Sequence, residues 1–266
     1  MATERDTPPI LLVPALVGLA LLVLPLVALV SRINLASLGA DLFSPIVFDA
    51  LRLSLTTATV ATAMCVILGV PLALVIARAG PRLSAALRIA VTIPLVLPPL
   101  VGGVALLYLL GRRGLLGEIL WEATGFQLPF TTAAVVVAQT FVALPFLVLT
   151  LESALRTSAS GHESTASTLG AGRWFILWRV TLPLVAPGLI SGVLLSFARA
   201  VGEFGATALF AGNAPGITQT MPLAIYSAFN GVGADPSDAV VLAVLLLIST
   251  LAVLVLVRSW RPEVAR

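Results

Sequence analysis

Arg199 and Glu203 stand four residues apart in Val180–Phe210, a stretch that carries no other charge. On a helix that spacing puts both side chains on one face. An ionisable residue inside an apolar span marks a functional site by default, because an Arg at the centre of a membrane helix costs roughly 2.5–3.5 kcal/mol. A carboxylate one turn away offsets part of that cost. Two uses of the pair follow. It is a structural ion pair that anchors the span near an interface, or it lies at an outer gate beside the route of an anion. A permanent cation with spare N–H donors suits an oxyanion, although Glu203 cancels part of its field. Phe204, directly after the pair, is placed with Arg199 and Glu203 among the pathway or gate candidates.

Other chemistries are excluded by what is missing. All fifteen basic residues are Arg. A P-loop needs its Lys on the nucleotide phosphates, so the chain is not itself a Walker-type ATPase. The single Cys65 has no partner for an intrachain disulfide, and the single His162, read as a solvated loop residue, rules out a multi-histidine metal site. No catalytic or metal-ligating residue is assigned. The sequence pI of about 10.0 comes from Arg in short loops, which reports membrane topology rather than nucleic-acid binding.

The elements that hold these residues are set by composition. Apolar residues make up 59% of the 266 positions and charged ones 10%, against roughly 25% charged in a soluble domain. The mean hydropathy is +1.10. A bilayer accommodates that much apolar surface while forcing backbone polar groups to pair within helices or a closed barrel. The expected fold is all-α, a polytopic membrane protein of about six helices forming one domain over 1–266. The spans are expected at about 7–31, 53–77, 89–111, 129–151, 180–210 and 239–257, since about 20 apolar residues cross the hydrocarbon. The first run, 25 residues without charge from Thr7 to Ser31, exceeds a signal-peptide core of roughly 7–15 and is read as an uncleaved span.

The arginines orient the spans. With the N-terminus inside, Arg5, Arg78, Arg82, Arg88, Arg156, Arg173, Arg179, Arg258, Arg261 and Arg266 lie inside. Arg32, Arg52, Arg112 and Arg113 lie outside. That bias, ten against four, places both termini in the cytoplasm. Two connections are long: an inside segment, 152–182, and an outside segment, 211–238, which is rich in Gly and Pro but holds a short amphipathic stretch, Met221–Asn230.

Pro94, Pro98, Pro99, Gly102 and Gly103 crowd the third span. Each Pro removes a helix hydrogen bond, and irregular backbone at membrane depth survives only inside protein or along an aqueous cavity. A kinked helix and a pore-lining gate element facing span five are both consistent with this, and Pro98 and Pro99 are the gate candidates. Gly69-Val-Pro71 is read as an ordinary kink in span two. Within 152–182, small residues precede Gly170 and Gly172, which permit a bend. An aromatic-rich stretch follows, and Leu182-Pro183 starts the next helix. Both a plain surface helix between two spans and a short helix on the membrane face, open to close approach by another protein, fit this pattern.

Gly170, nine residues, Val180, one residue and Leu182-Pro183 resemble the cytoplasmic loop signature of ABC-importer permeases, E-A-A-x3-G-x9-I-x-L-P. The signature Glu falls at Ser164 and its first Ala at Thr165, whereas the second is kept as Ala166. Glu163 stands one place early and Val180 replaces Ile. The resemblance implies a coupling helix seated on a separate ATPase, with Glu163, Ser164, Thr165, Ala166, Gly170, Val180, Leu182 and Pro183 as the coupling residues.

Phe197-Ala-Arg-Ala-Val-Gly-Glu-Phe-Gly-Ala-Thr207, Ala211-Gly-Asn213 and Thr220-Met-Pro-Leu-Ala-Ile-Tyr226 are similar to the molybdate (tungstate) permeases of that class, with sulfate permeases as near relatives. Ile93-Pro-Leu-Val-Leu-Pro-Pro-Leu-Val-Gly-Gly103 and Gln139-Thr-Phe-Val-Ala-Leu-Pro-Phe146 support the same family. The resemblance implies a homodimer in a prokaryotic cytoplasmic membrane, two ATPase subunits that bind ATP and Mg, and an extracytoplasmic oxyanion-binding protein. No cofactor is expected on this chain. Rival readings are a sulfate permease, a stand-alone secondary transporter with Glu203 as its strongest intramembrane acid, and a membrane scaffold or sensor, which would need an appended domain.

Overall fold

The computed structural model describes residues 9–34, 36, 38–158, 160–231 and 236–259, and every regular element among them is helical. After a 3-10 turn (Pro9–Leu11) come α1 (Leu12–Val30), α2 (Leu38–Leu42), α3 (Pro45–Arg78), α4 (Pro81–Val96), α5 (Pro99–Leu110), α6 (Gly117–Thr124), α7 (Thr132–Ser158), α8 (Ser160–Thr168) and α9 (Arg173–Ile176). A π-helical turn, Leu177–Thr181, leads into α10 (Leu182–Val201). Then follow α11 (Gly205–Phe210), α12 (Met221–Phe229) and α13 (Pro236–Ser259).

Among the described residues five stretches are long and apolar enough to cross a membrane, and α4 with α5 forms a sixth that is bent by 113°. Contacts along α7 show that the bent pair crosses rather than returns. α4 begins beside the C-terminal end of α7, where the Arg156 Nη2 donates to Ser84 Oγ at 2.6 Å. Further along, Leu106 on α5 clusters with Ala134, Val135 and Ala138 near the other end of α7. From 156 back to 134 a helix travels about 33 Å at 1.5 Å per residue, close to the hydrocarbon thickness of about 30 Å.

The bundle is built around α7. In its apolar window 56% of residues are buried, against none in that of α1, which lies at the periphery. Close approach is achieved by small side chains, as expected where lipid gives no hydrophobic drive between helices. On α10, Gly188, Gly192 and Ser196 recur every fourth residue. A Cβ on Gly188 would meet Ala154 Cβ at 2.4 Å, and one on Gly192 would meet Leu147 Cα at 3.3 Å. The Ser196 hydroxyl donates to the Ala143 carbonyl at 3.2 Å. On α3, Ala58, Ala61, Cys65 and Gly69 form the matching stripe, all buried or against Leu147.

Helix ends differ from the expected span limits in several places. The helix that carries span two begins at Pro45, ahead of 53, because Pro sits at the first helical position and Ser44 accepts from the Val47 N–H at 3.3 Å. The Ser44 hydroxyl also donates to Asp238 Oδ1 at 3.1 Å, tying α3 to the start of α13. Asp49 and Arg52 therefore lie on a helix that continues beyond its apolar stretch. Pro71 falls within α3, which is unbroken. Span three starts at Pro81 and is two helices rather than one over 89–111. Span four runs from Thr132 to Ser158, and span six from Pro236 to Ser259. Span five, expected to continue to 210, stops at Val201 and resumes at Gly205. The segment 152–182 is largely helical, and His162 lies on α8 rather than in a loop. Thr7 of the first span, together with Arg5, Trp260, Arg261 and Arg266, lies outside the described residues.

Candidate coupling and gate sites

The end of the molecule where α3 and α7 finish is organised by carboxylates. Glu152, near the end of α7, is 3% exposed and accepts from two guanidinium groups, Arg88 of α4 at 2.5 Å and Arg156 one turn on at 2.6 Å. Arg156 also donates to the Ile76 carbonyl at 3.2 Å. One buried acid thus ties the C-terminal part of α7 to the middle of α4 and, through Arg156, to the C-terminal end of α3. The two guanidinium groups keep it from being an uncompensated buried charge.

Beyond this network α8 follows α7 and packs beside α9 and the π-helical turn. Its far end is closed by Gly170 in the left-handed region (φ 83°), with the Ala171 N–H donating to the Ala166 carbonyl at 3.1 Å. That is the six-to-one bond of a Schellman turn, which favours glycine. Gly172 has ordinary extended backbone and caps the start of α9 without needing to be glycine. Ser164 and Thr165 are exposed, and both hydroxyls donate to the Gly161 carbonyl of their own helix. Glu163 and Ala166 are half-buried and turn toward the bundle. The Glu163 carboxylate takes Arg78 Nη2 at 3.0 Å and the hydroxyl of buried Thr181. After the turn, Leu169, Trp174, Phe175 and Trp178 are all exposed. Val180 and Leu182 are half-buried where the π-helical turn joins α10, and Pro183 beside them is exposed.

The gate candidates converge at the meeting of two broken helices. α4 ends at Val96 with Leu97 as its cap, Pro98 has extended backbone (φ −54°, ψ 133°) and Pro99 opens α5. α10 ends at Val201 with Gly202 as its cap, and α11 restarts after Phe204. The two breaks touch: a Cβ on Gly205 would stand 2.8 Å from Pro99 Cβ, and one on Gly103 would stand 2.9 Å from the Ala206 carbonyl oxygen. Span three does face span five here.

Arg199 and Glu203 form the ion pair that their spacing suggests, with Nη1 2.6 Å from Oε2. The Arg199 side chain is 27% exposed and that of Glu203 only 1%. The second carboxylate oxygen of Glu203 accepts from the Ala206 N–H at 2.7 Å, capping α11 across the break. Glu203 is therefore a structural link whatever else it does. Phe204 stacks in a tilted arrangement on Tyr226 of α12, ring centroids 5.2 Å apart.

Around this point the sequence reading missed three things. The Met221 N–H that opens α12 donates to Ser54 Oγ of α3 at 2.7 Å, so the outer helix is capped by a different span. Gln139 of α7 is fully buried, and both ends of its amide have no hydrogen-bond partner among the described residues. The antiparallel register set by Gly192–Leu147 and Ser196–Ala143 puts Gln139 one turn further out, level with Ala200 and the break in span five. Finally, no spacing pattern announced that Glu163 would reach Arg78, 85 residues earlier.

Comparison with known proteins agrees with this architecture. Residues 69–260 match a family model described as binding-protein-dependent transport system inner membrane component. The molybdenum transport system permease protein ModB of Mycobacterium tuberculosis is 49% identical over 248 residues, covering 93% of this chain and 92% of that protein. ModB of Escherichia coli is 35% identical over 219 residues, covering 82% and 95%. Among solved structures, a chain of a bacterial alginate ABC transporter in complex with alginate pentasaccharide-bound periplasmic protein superposes with a TM-score of 0.70 at 16% identity, over 94% of this chain and 91% of that one. A chain of the MetNI methionine ABC transporter in an inward-facing conformation gives 0.62 at 20% identity, over 82% and 97%. At such identities the structures share the fold alone.

Proposed function

Because this chain belongs to the family of binding-protein-dependent transport system inner membrane components, we propose that it is the permease subunit of an ATP-driven importer of molybdate, with ATP hydrolysis carried out by a separate partner subunit. The observation that carries the cargo is the 49% identity to a molybdenum permease over nearly the whole of both chains. Tungstate, a tetrahedral dianion of the same charge, fits the same pathway. The chain is a multi-pass inner membrane protein, and its arginine distribution supports both termini being cytoplasmic.

Two copies would line one pathway, each presenting α8 and the exposed aromatic turn to an ATPase that binds ATP and Mg. Closure of the ATPases would move α8, and the bundle would alternate between inward-open and outward-open by rigid-body motion. The tight contact of α5 with α11 supports their moving as one gate element, with Pro98 and Gly202 at its ends. On the outer side, α12 with exposed Tyr226 and Phe229 supplies a surface for a binding protein. Selectivity would rest mostly on that protein, since tight binding along a pathway slows release. In this reading Arg199 serves the gate and is not a ligand.

Uptake by proteoliposomes tests the cargo. They would contain this chain, its genetically linked ATPase and the binding protein. Molybdate uptake that needs ATP, is competed by tungstate and is indifferent to sulfate is expected. Sulfate uptake without molybdate uptake would reassign the cargo.

A further inference from the structure

We propose that Glu163 is a positioning residue that fastens the coupling helix to its own membrane bundle, so that a push or pull on α8 reaches spans two and five through one carboxylate. This rests on the reading of α8 as the segment on which the ATPase acts.

Packing alone holds α8 weakly. Ser160–Thr168 contains one apolar side chain larger than hydrogen, Ala166, and most of its residues are exposed. Burial of so little apolar area gives little adhesion. Polar contacts must therefore carry much of the attachment, and Glu163 makes two that reach from α8 to other elements, one to Arg78 and one to Thr181. Arg78 is the last residue of α3, a helix end at which a cation is favoured by the macrodipole. Thr181 is the last residue of the π-helical turn, fully buried and directly ahead of α10. A single carboxylate therefore joins α8 to the inner end of span two and to the root of span five.

The one-residue offset from the family signature acquires a physical meaning. The signature position, Ser164, points to solvent. Glu163 lies about 100° around the helix from it and faces the bundle. The acid in this chain is an inward tether, while the outward face is left to small hydroxyl side chains. Moving α8 then displaces Arg78 and Thr181 with it, instead of acting only through the Schellman turn at Gly170.

The test uses the whole complex reconstituted with its ATPase and binding protein, comparing E163Q, R78Q and the double variant with the unaltered chain. Molybdate moved per ATP hydrolysed is the readout, because a purely structural contact would lower assembly and leave this ratio alone. Each single variant is expected to retain the ATPase on purification and to lower the ratio about two- to fivefold, the scale of a partly exposed ion pair. The double variant should be no worse than the poorer single one, as for two residues acting through one contact. An unchanged ratio in both single variants, or losses that simply multiply in the double, would overturn the proposal and leave the importer reading standing. An unaltered chain that holds no ATPase and moves no molybdate would overturn both.

Discussion

Gly205 approaches Pro99 so closely that a Cβ on the glycine would lie 2.8 Å from the proline Cβ and 3.1 Å from the Leu100 nitrogen. The break in span five is thereby locked onto the break in span three. Neither break could be tolerated alone at membrane depth, because freed backbone groups there must be buried in protein or face a cavity.

Substituting Gly205 by Ala should therefore be costly, since the obstacle is a proline ring and backbone, not the end of a flexible side chain. Overpacking of this kind costs about 1–3 kcal/mol. Thermal unfolding of the purified complex should show the loss, and G202A, whose nearest obstacle is 3.6 Å away, should show much less.

The Arg199–Glu203 pair should respond asymmetrically. R199Q leaves a carboxylate that is 1% exposed without its counter-charge, a loss of about 3–5 kcal/mol for a buried ion pair. E203Q leaves a guanidinium that already reaches solvent, so its cost should be smaller, about 1–3 kcal/mol, mostly from the weakened cap on α11. Stability measured on both variants checks the order. A double R199M/E203M variant that folds and still transports would assign the pair to structure alone. One that folds but does not transport would assign it to the gate.

Gln139 should be replaceable at a gain. Its amide is buried with no partner among the described residues, and an unsatisfied buried polar group costs about 1–3 kcal/mol. Q139M, close in volume, is expected to raise the unfolding temperature of the complex. A lower unfolding temperature would show that the amide is satisfied after all.

Ser54 caps a helix that belongs to another part of the chain. S54A should cost about 1 kcal/mol, the scale of a lost cap, and should loosen α12 selectively. Hydrogen exchange at the first turn of α12 reads this directly, with the Met221 amide the most affected.

Much of this was legible in the sequence for local reasons. Apolar runs mark spans because lipid demands them, and the Arg199–Glu203 spacing fixes one helix face whatever surrounds it. Pro98-Pro99 announces a break because proline lacks the donor. Span ends were less legible: α3 and α7 run past their apolar stretches, carrying Arg52, Glu152 and Arg156 on helix that leaves the hydrocarbon. Continuity of span five was misread because apolar residues resume directly after Glu203, and the break is held by a side-chain cap from Glu203 that no local pattern announces. The tether from Glu163 to Arg78, and the cap from Ser54 to Met221, join residues far apart in the chain. No periodicity encodes such contacts, and they became visible only with the packing of α3 against its neighbours.

The account stands most directly on ATP hydrolysis by the complex of this chain with its genetically linked ATPase in lipid, measured with the binding protein empty, molybdate-loaded or sulfate-loaded. Stimulation by the molybdate-loaded form, with the empty and sulfate-loaded forms well below it, is predicted. Equal stimulation by all three, or a chain that fails to retain any ATPase, would contradict it.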